Sequence, residues 1–519
     1  MARINSNIPS LVAQSQYATN QRELQLRFER LSTGLRINRG ADDPAGLIIS
    51  ERLRSDIQGV NQGIKNSDRA SSVISTTESA LTEINDLLNS IRSLVVEASN
   101  TGANSTEERN ANQLQIDSAI DSITRISNTA SFGGLKLLNG SLDYTLSGVD
   151  RSDIVQTKVW NASRINQQNL QVQVDVIGSA QTGALFYQGI AAQPGVIVST
   201  TTLQIAGARG VQELTITSAT GLASVVTAVN NLTSLTGVRA RLINNDANSG
   251  MVFESDTYGS EAFASVKRLG GPTNPAADAF QVYKALDSAA TPAGTPFDWA
   301  GLTSAGTLVT AVQDAGRDVT ALVNGNLATG RGTSLSINAS SLGLDLQLSD
   351  TFATDPTAAV SAFYITGGGA LFQLGPEVTA LQQSNLGIPS VAASNLGGTL
   401  TSGRLEFLNS LKTGAVNSIA TSVARNDFTK ANDILQTAID EVTVLRGRLG
   451  AFERNVLQTN SRSLQAALEN LSSSNSQIRD ADFAVETSAL TRAQILSSSG
   501  TSVLTLANQS SQQVLQLLG

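Results

Sequence analysis

Proline is absent from Ala45 to Gln193 and again from Ser390 to Gly519, while seven of the ten prolines fall between Pro194 and Pro376. Because proline removes a backbone donor and clashes with the preceding turn, its absence leaves both ends of the chain free to form very long helices. Apolar spacing uses that freedom. Leu53, Ile57, Val60 and Ile64 are separated by four, three and four residues, and the pattern returns at Leu81, Ile84, Leu88, Ile91, Val95 and Ala98. This is a coiled-coil seam, and a helix from Pro44 to Asn100 would be about 85 Å long, too long for one layer of a compact domain. After the turn NTGANSTEER, Ile116, Ile120, Ile123 and Ile126 mark a helix returning along the first. Leu435, Ala438, Val442, Leu445, Leu449, Phe452 and Val456 form a second seam, predicted to run without a break. Neither seam has enough partners in its own segment, so each is expected to bury the other.

Upstream, Leu24, Phe28, Leu31 and Leu35 form one apolar stripe on a first helix. Gly40 is expected to interrupt it, Asp43 to cap the next helix, and Pro44 to take the first position, where a missing N–H is harmless. Adjacent Asp42 and Asp43 are no metal or acid pair, because neighbouring side chains diverge and no further ligand type clusters nearby. At the other end, Leu496, Val503, Ala507, Val514 and Leu517 keep heptad register, with Leu504 beside Val503, and no charged side chain follows Arg492. Such a helix is expected to be buried on assembly, its neutral amides and hydroxyls satisfied in pairs. An amphipathic tail packed on its own subunit is the alternative.

The chain contains no Cys and no His, which removes thiol nucleophiles, Ser/His/Asp triads and thiolate or imidazole metal sites. A net charge of -8 with no concentrated basic stretch argues against nucleic acid. The N-terminus lacks the apolar core and cleavage site of a Sec-type signal peptide, and no apolar run is long enough to enter a membrane. Between residues 181 and 375 the period changes to alternation. Leu203 and Ile205, Leu214 and Ile216, and Val238, Ala240 and Leu242 read as strands around a helix at Leu222 to Leu232. Past a Gly/Pro-rich stretch from Gly270 to Pro296, a second β unit contains Val319, Ala321, Val323, Leu335, Ile337 and Leu342 to Leu348. The segment FGGLKLLNGSLDYTLSG reads as a β-hairpin beside the helices. NNDANSG, Asn244 to Gly250, lacks the sixth-position Gly and closing Glu of a calcium loop, and is expected to be a hairpin turn. No catalytic, cofactor or metal site is expected.

Three stretches carry a resemblance to a known family: LSTGLRINRGADDPAGLIISERL from Leu31, STTESALTEINDLLNSIRSLVVEASN from Ser75, and SQIRDADFAVETSALTRAQILSSSGTSVLTLANQSSQQVLQLLG from Ser476. The chain resembles bacterial flagellin, the filament subunit, over about Met1 to Asn139 and Leu405 to Gly519. The resemblance implies mainly α termini, a long antiparallel coiled-coil or helical-bundle rod, with α+β or β outer domains inserted in the middle. Residues 1–43 would be the N-terminal inner-tube helix and joint, and 44–180 the rod helices and hairpin. Residues 181–375 would form the two outer units, 376–475 the return segment and C-terminal rod helix, and 476–519 the C-terminal inner-tube helix.

Gly40, Asp42, Asp43 and Pro44 would join two concentric layers. The resemblance also implies a self-assembling helical homopolymer for swimming motility whose terminal helices fold on assembly. Its partners would be a type III export apparatus, an export chaperone, and cap and hook-associated proteins, and its location extracellular. Recognition by an innate Toll-like receptor would involve Arg92 and Leu94. Ser90, Ser93 and Gln115 replace charged residues of the sensed pattern, so weakened recognition is expected. A hook-filament junction protein is the alternative within the same machinery, and an enzyme or adhesin displayed by the middle domains is the alternative of a different class.

Overall fold

The computed structural model describes residues 7–162, 168–189, 195–270, 280–286, 297–339, 341–401 and 404–518, with backbone alone at 401 and 510–518. Residues 1–6 and most of the stretch between Gly270 and Pro296 lie outside the described residues. The chain divides into two units. One comprises Met1–Ser71, Phe372–Gln383 and Phe452–Gly519; the other comprises Ser72–Leu371 and Ser384–Ala451.

Helices dominate both ends and strands the middle, as the proline distribution requires. In chain order the principal helices are α1 (Ile8–Thr33), α2 (Pro44–Ser99), α3 (Thr106–Thr129), α4 (Leu222–Asn230), α5 (Thr429–Phe452), α6 (Gln458–Arg479) and α7 (Phe483–Leu518). Helix α3 starts at a capping box: the Glu108 N–H donates to Ser105 Oγ at 3.2 Å, and Glu108 Oε2 accepts from the Ser105 N–H at 2.7 Å. In the second unit the α2 residues Leu81, Ile84, Leu88, Ile91, Val95 and Ala98 are fully buried. So are Ile116, Ile120 and Ile123 of α3, and Leu435, Ala438, Val442, Leu445 and Leu449 of α5. Val95, Ile116 and Ala431 line one small internal gap, which brings the three stripes together. In the first unit Leu53 and Ile57 are only half-buried.

The second seam is not continuous. Glu453–Leu457 form a π-helical turn between α5 and α6. A π turn takes one residue more than an α turn, so the buried position passes from Val456 to Leu457, while Phe452 and Val456 are half-buried. The Ser71 hydroxyl donates to the Glu453 carboxylate at this turn.

The strands of the second unit form nested layers. One core is shared by a five-stranded sheet, ordered Asn326–Leu327, Thr320–Val323, Leu170–Gly178, Ser361–Gly368 and Tyr144–Ser147, and by a four-stranded sheet, ordered Thr329–Arg331, Ser334–Asn338, Leu342–Leu348 and Ile154–Ala162. Inserted into this chain path, residues 184–315 build a second pair of antiparallel sheets on which Leu222, Val225 and Val229 of α4 are buried. The expected boundary at residue 180 therefore cuts the first of these layers, because Ile154–Ala162 and Leu170–Gly178 pair with strands beyond residue 319. The hairpin beside the helices reduces to Ser131–Phe132 and Leu135–Lys136. Tyr144–Ser147 leaves it to pair with Ser361–Gly368. Asn244 to Gly250 connects the paired strands Val238–Leu242 and Met251–Ser255 as a hairpin loop.

Burial on these seams sets an expected mutational pattern. Leu88→Ala should destabilise the helical transition by about 3 kcal/mol, whereas Val96→Ala, on the exposed face of the same helix, should cost under about 1 kcal/mol; urea unfolding followed by circular dichroism checks both.

Candidate functional site

Helices α1 and α7 run antiparallel within the first unit, and small and polar residues predominate on the face each turns to the other. Asn7 Nδ2 donates to the Ala507 carbonyl at 3.0 Å, and Ser10 Oγ to Asn508 Oδ1 at 2.7 Å. Further along, Asn20 Nδ2 donates to the Leu496 carbonyl at 3.3 Å and Gln21 Nε2 to Ser497 Oγ at 2.9 Å. Ser10, Ala13, Ala493 and Ser497 are buried between the helices. Gly500 admits the Tyr17 ring, since a Cβ there would lie 3.3 Å from Tyr17 Cδ2. The ladder ends at a charged knot, with Arg27 Nη1 2.9 Å and Arg30 Nη1 3.1 Å from the carboxylate of buried Glu486.

Other large apolar side chains of the pair are exposed. Ile8, Leu11, Val12 and Phe28 of α1 are exposed, as are Phe483, Val485, Ile495, Leu496, Val503 and Leu506 of α7. At 100° per residue, Val485, Ile495, Leu496, Val503 and Leu506 fall within an arc of about 100° that borders the buried seam on one side. The expected α1 stripe is therefore divided: Leu24 and Leu31 are half-buried on the seam, Phe28 is half exposed, and Leu35 is not helical. On α7, Leu504 is half-buried beside α1, while Leu496 and Val503 point outward. Val514 and Leu517 belong to α7, but their side chains lie outside the described residues.

The joint breaks at a different glycine from the one expected. Helix α1 stops at Gly34, whose φ of 71° is left-handed and whose N–H returns to the Arg30 carbonyl at 2.9 Å. Gly40 sits past the break, in the loop, with no positive φ. Leu35 is free to leave the helix and pairs with Asp480. The Arg36 N–H donates to the Arg479 carbonyl at 2.6 Å, and the Ala481 N–H to the Gly34 carbonyl at 2.9 Å. The α1–α2 joint is thus stitched to the α6–α7 joint.

Asp42 Oδ2 accepts from the backbone N–H groups of Arg39 and Asn38, and these bonds hold its carboxyl below the usual range. Asp43 Oδ1 accepts the Gly46 N–H at 2.9 Å, in the first turn of the helix opened by Pro44. Gly46 itself leaves no room for a side chain, since a Cβ would lie 2.7 Å from Ile37 Cδ1. Gly34, Gly46 and Asp480 are joint residues that sequence reasoning missed. The run DADF, in which Asp482 Oδ1 caps Ala484 and Val485, was the signal for the second break.

Arg92 and Gln115 are exposed and Leu94 is half-buried. Among the described residues no group of three acidic side chains converges as a metal site, and no helix is long and apolar enough to cross a membrane.

The chain matches the bacterial flagellin N-terminal helical region over residues 4–143 and the C-terminal helical region over residues 432–518. It is 29% identical to flagellins of Salmonella choleraesuis (strain SC-B67) and Escherichia coli (strain K12), each alignment covering 99% of both chains. The chain belongs to the bacterial flagellin family. Bacillus subtilis flagellin is 39% identical over 180 residues, 34% of this chain and 54% of that one. Among solved structures, the D1-D2-D3 domains of the Escherichia coli flagellar cap protein cover 70% of this chain and 89% of their own, at 15% identity and a TM-score of 0.26. As a flagellin the chain is a structural filament subunit and not an enzyme. Relatives that match from end to end are flagellins, which disfavours the junction-protein and displayed-enzyme readings.

The Glu486 knot makes the flagellin helix pair sensitive to acid. Burial alone would raise the Glu486 carboxyl, but hydrogen bonds from Arg27 and Arg30 outweigh it and hold it below its ordinary 4.5. A carboxyl depressed in this way stabilises the folded pair above its unfolded-state value and loses that contribution as pH falls through the folded-state value. The α1–α7 contact should weaken on the acid side of pH 4.5. Glu486→Gln should flatten the dependence, as read from helix melts of assembled chain across the acid range.

Proposed function

We propose that subunits of the flagellar filament join through the outward apolar faces of α1 and α7, and that these two helices complete their folding only when copies cover those faces. The observation that supports this reading is the distribution along α7: small and polar residues turn toward α1, while Val485, Leu496, Val503 and Leu506 are exposed to solvent. A pair of helices joined mainly by small and polar side chains is marginal alone, because most helical stability comes from tertiary burial of an apolar face. Neutral amides and hydroxyls suit α7 to complete enclosure, which charges would oppose. Leu24, Leu31 and Leu504 would hold the pair together within a subunit, and Phe28, Leu496 and Val503 would face neighbours. The joint at Gly34 to Pro44 would separate an inner layer of helices from an outer one.

Export through a dedicated type III apparatus, with a chaperone and with cap and hook-associated proteins as partners, follows from the family reading, as does an extracellular location. A chain without cysteine passes through such a route unfolded with no risk of cross-linking. Deleting residues 481–519 is expected to leave a folded β-containing unit that fails to elongate sheared filaments; sedimentation and electron microscopy read the result, and normal filaments from the truncation would refute the proposal.

The receptor-facing surface is a separate consequence. Ser90, Ser93 and Gln115 cannot form the charge-assisted contacts that an arginine and glutamates would make there. A Toll-like receptor reporter assay should show potency reduced by roughly tenfold or more relative to a flagellin with those charges, and full potency would exclude the reading.

A further inference from the structure

Residues Phe372–Gln383 form a firmly held loop in the helical unit. Asn66 Nδ2 of α2 donates to the Gln373 carbonyl at 3.1 Å. Asn460 Nδ2 of α6 lies within hydrogen-bond distance of both the Leu374 carbonyl, at 2.9 Å, and Ser67 Oγ, at 3.2 Å. The Phe372 ring lies against Phe452 with centroids 5.8 Å apart. The loop rests on α2 where Gly59 and Gly63 stand one turn apart: a Cβ on Gly59 would lie 2.9 Å from Pro376 Cβ, and one on Gly63 3.0 Å from the Leu374 carbonyl oxygen. These two glycines allow the loop to lie directly on the helix.

The tip is closed by its own hydrogen bonds. The Leu374 N–H donates to the Gln382 carbonyl at 2.9 Å, the Glu377 N–H to Gln382 Oε1 at 2.6 Å, and Gln373 Nε2 to the Glu377 carbonyl at 2.7 Å. What this ordered tip presents is Val378 and Leu381, 86% and 98% exposed. Single exposed apolar residues are ordinary. Two on one fixed loop, three residues apart, make an apolar knob whose hydrophobic surface is left in water.

A receptive patch lies on the same helix. At 100° per residue, Ile48, Ile49, Gly59 and Gly63 fall within about 100° on one face of α2. The loop covers that face at the glycines, while Ile48 and Ile49, 58% and 49% exposed, are left uncovered nearer the helix N-terminus. From Ile48 to Gly59 is about 16 Å along the helix, and the loop is tied at Gly59, Gly63 and Asn66, so the knob is held at its own end of this face. Knob and patch are different regions of one unit, and a contact between unlike regions of identical subunits propagates instead of closing on itself unless a ring forms. That is the geometry a helical homopolymer needs.

We propose that Val378 and Leu381 seat on the Ile48–Ile49 face of the next copy, so that the loop Phe372–Gln383 is an inter-subunit clasp. The inference rests on the filament reading and specifies one contact within it. The absence of cysteine makes the test clean, because introduced thiols have no competitors. Subunits carrying Leu381→Cys and subunits carrying Ile48→Cys, mixed and grown on sheared filaments of the unmodified chain, should yield a disulfide-linked dimer only when both are present and assembled. The double variant Val378→Asp/Leu381→Asp should raise the critical concentration for elongation at least about tenfold, a cost equivalent to burying charge at a contact, with an unchanged monomer melt. Normal elongation by the double variant together with no mixed dimer would overturn the clasp alone. Failure of the unmodified chain to elongate its own sheared filaments would overturn the filament reading and the clasp with it.

Discussion

The first unit depends on how α1 and α7 divide their faces. Each helix has one side that can approach the other closely, lined by Ser10, Ala13, Ser497 and Gly500, and another that carries bulky apolar residues into solvent. Hydrogen bonds such as Ser10 to Asn508 and Gln21 to Ser497 give the seam register but little net stability, since each replaces bonds to water. Among the described residues, much of the apolar area of the two helices is left exposed. On the assembly proposed above, the stability of the pair would be coupled to assembly.

The stitched joints extend this coupling. Because Gly34 to Arg36 pairs with Arg479 to Ala481, the breaks after α1 and before α7 form one structural element. Arg479 Nη1 also reaches Glu51 of α2 at 2.8 Å, and Ser50 Oγ of α2 meets Asn475 Oδ1 of α6 at 3.0 Å. The terminal pair is thus tied to α2 and α6 through backbone and polar contacts. Gly34 and Gly46 permit this for different reasons, the first by its left-handed φ and the second by the space it leaves beside Ile37.

Long elements were legible in the sequence because their signals repeat. The α2 stripe through Leu81, Leu88 and Val95 and the α5 stripe through Leu435, Val442 and Leu449 each carry the same spacing several times over, and both are buried. What escaped was local geometry. A π turn changes one residue's phase and leaves no compositional mark, so Val456 and Leu457 cannot be distinguished by spacing. Gly34 and Gly40 both punctuate the first joint, and only the left-handed φ of Gly34 identifies which of them ends the helix. The outer boundary was misplaced because antiparallel partners far apart in sequence, such as Ile154–Ala162 and Leu342–Leu348, share no local pattern. On α7 the heptad at Leu496 and Val503 was visible, but heptad register alone does not say whether a stripe faces its own chain or a neighbouring copy.

The β layers are held to the second unit's helices by a different kind of contact. Lys158 Nζ pairs with Glu441 of α5 at 2.5 Å, and Arg448 of α5 lies over the Trp160 ring at 4.5 Å while reaching Asp345 at 3.3 Å. Arg209, from the inserted residues 184–315, pairs with Asp433 near the start of α5 at 3.3 Å. These charged contacts lie outside the α5 stripe of Leu435, Val442 and Leu449, which is buried. Ion pairs fix orientation while contributing little net stability, and domains joined through polar surfaces retain their own cores. The strand-rich middle is thereby anchored to α5 at charged positions beside the buried helical seam. On the assembly proposed above, a change on α1, α7 or their joints would alter surfaces that other copies must match.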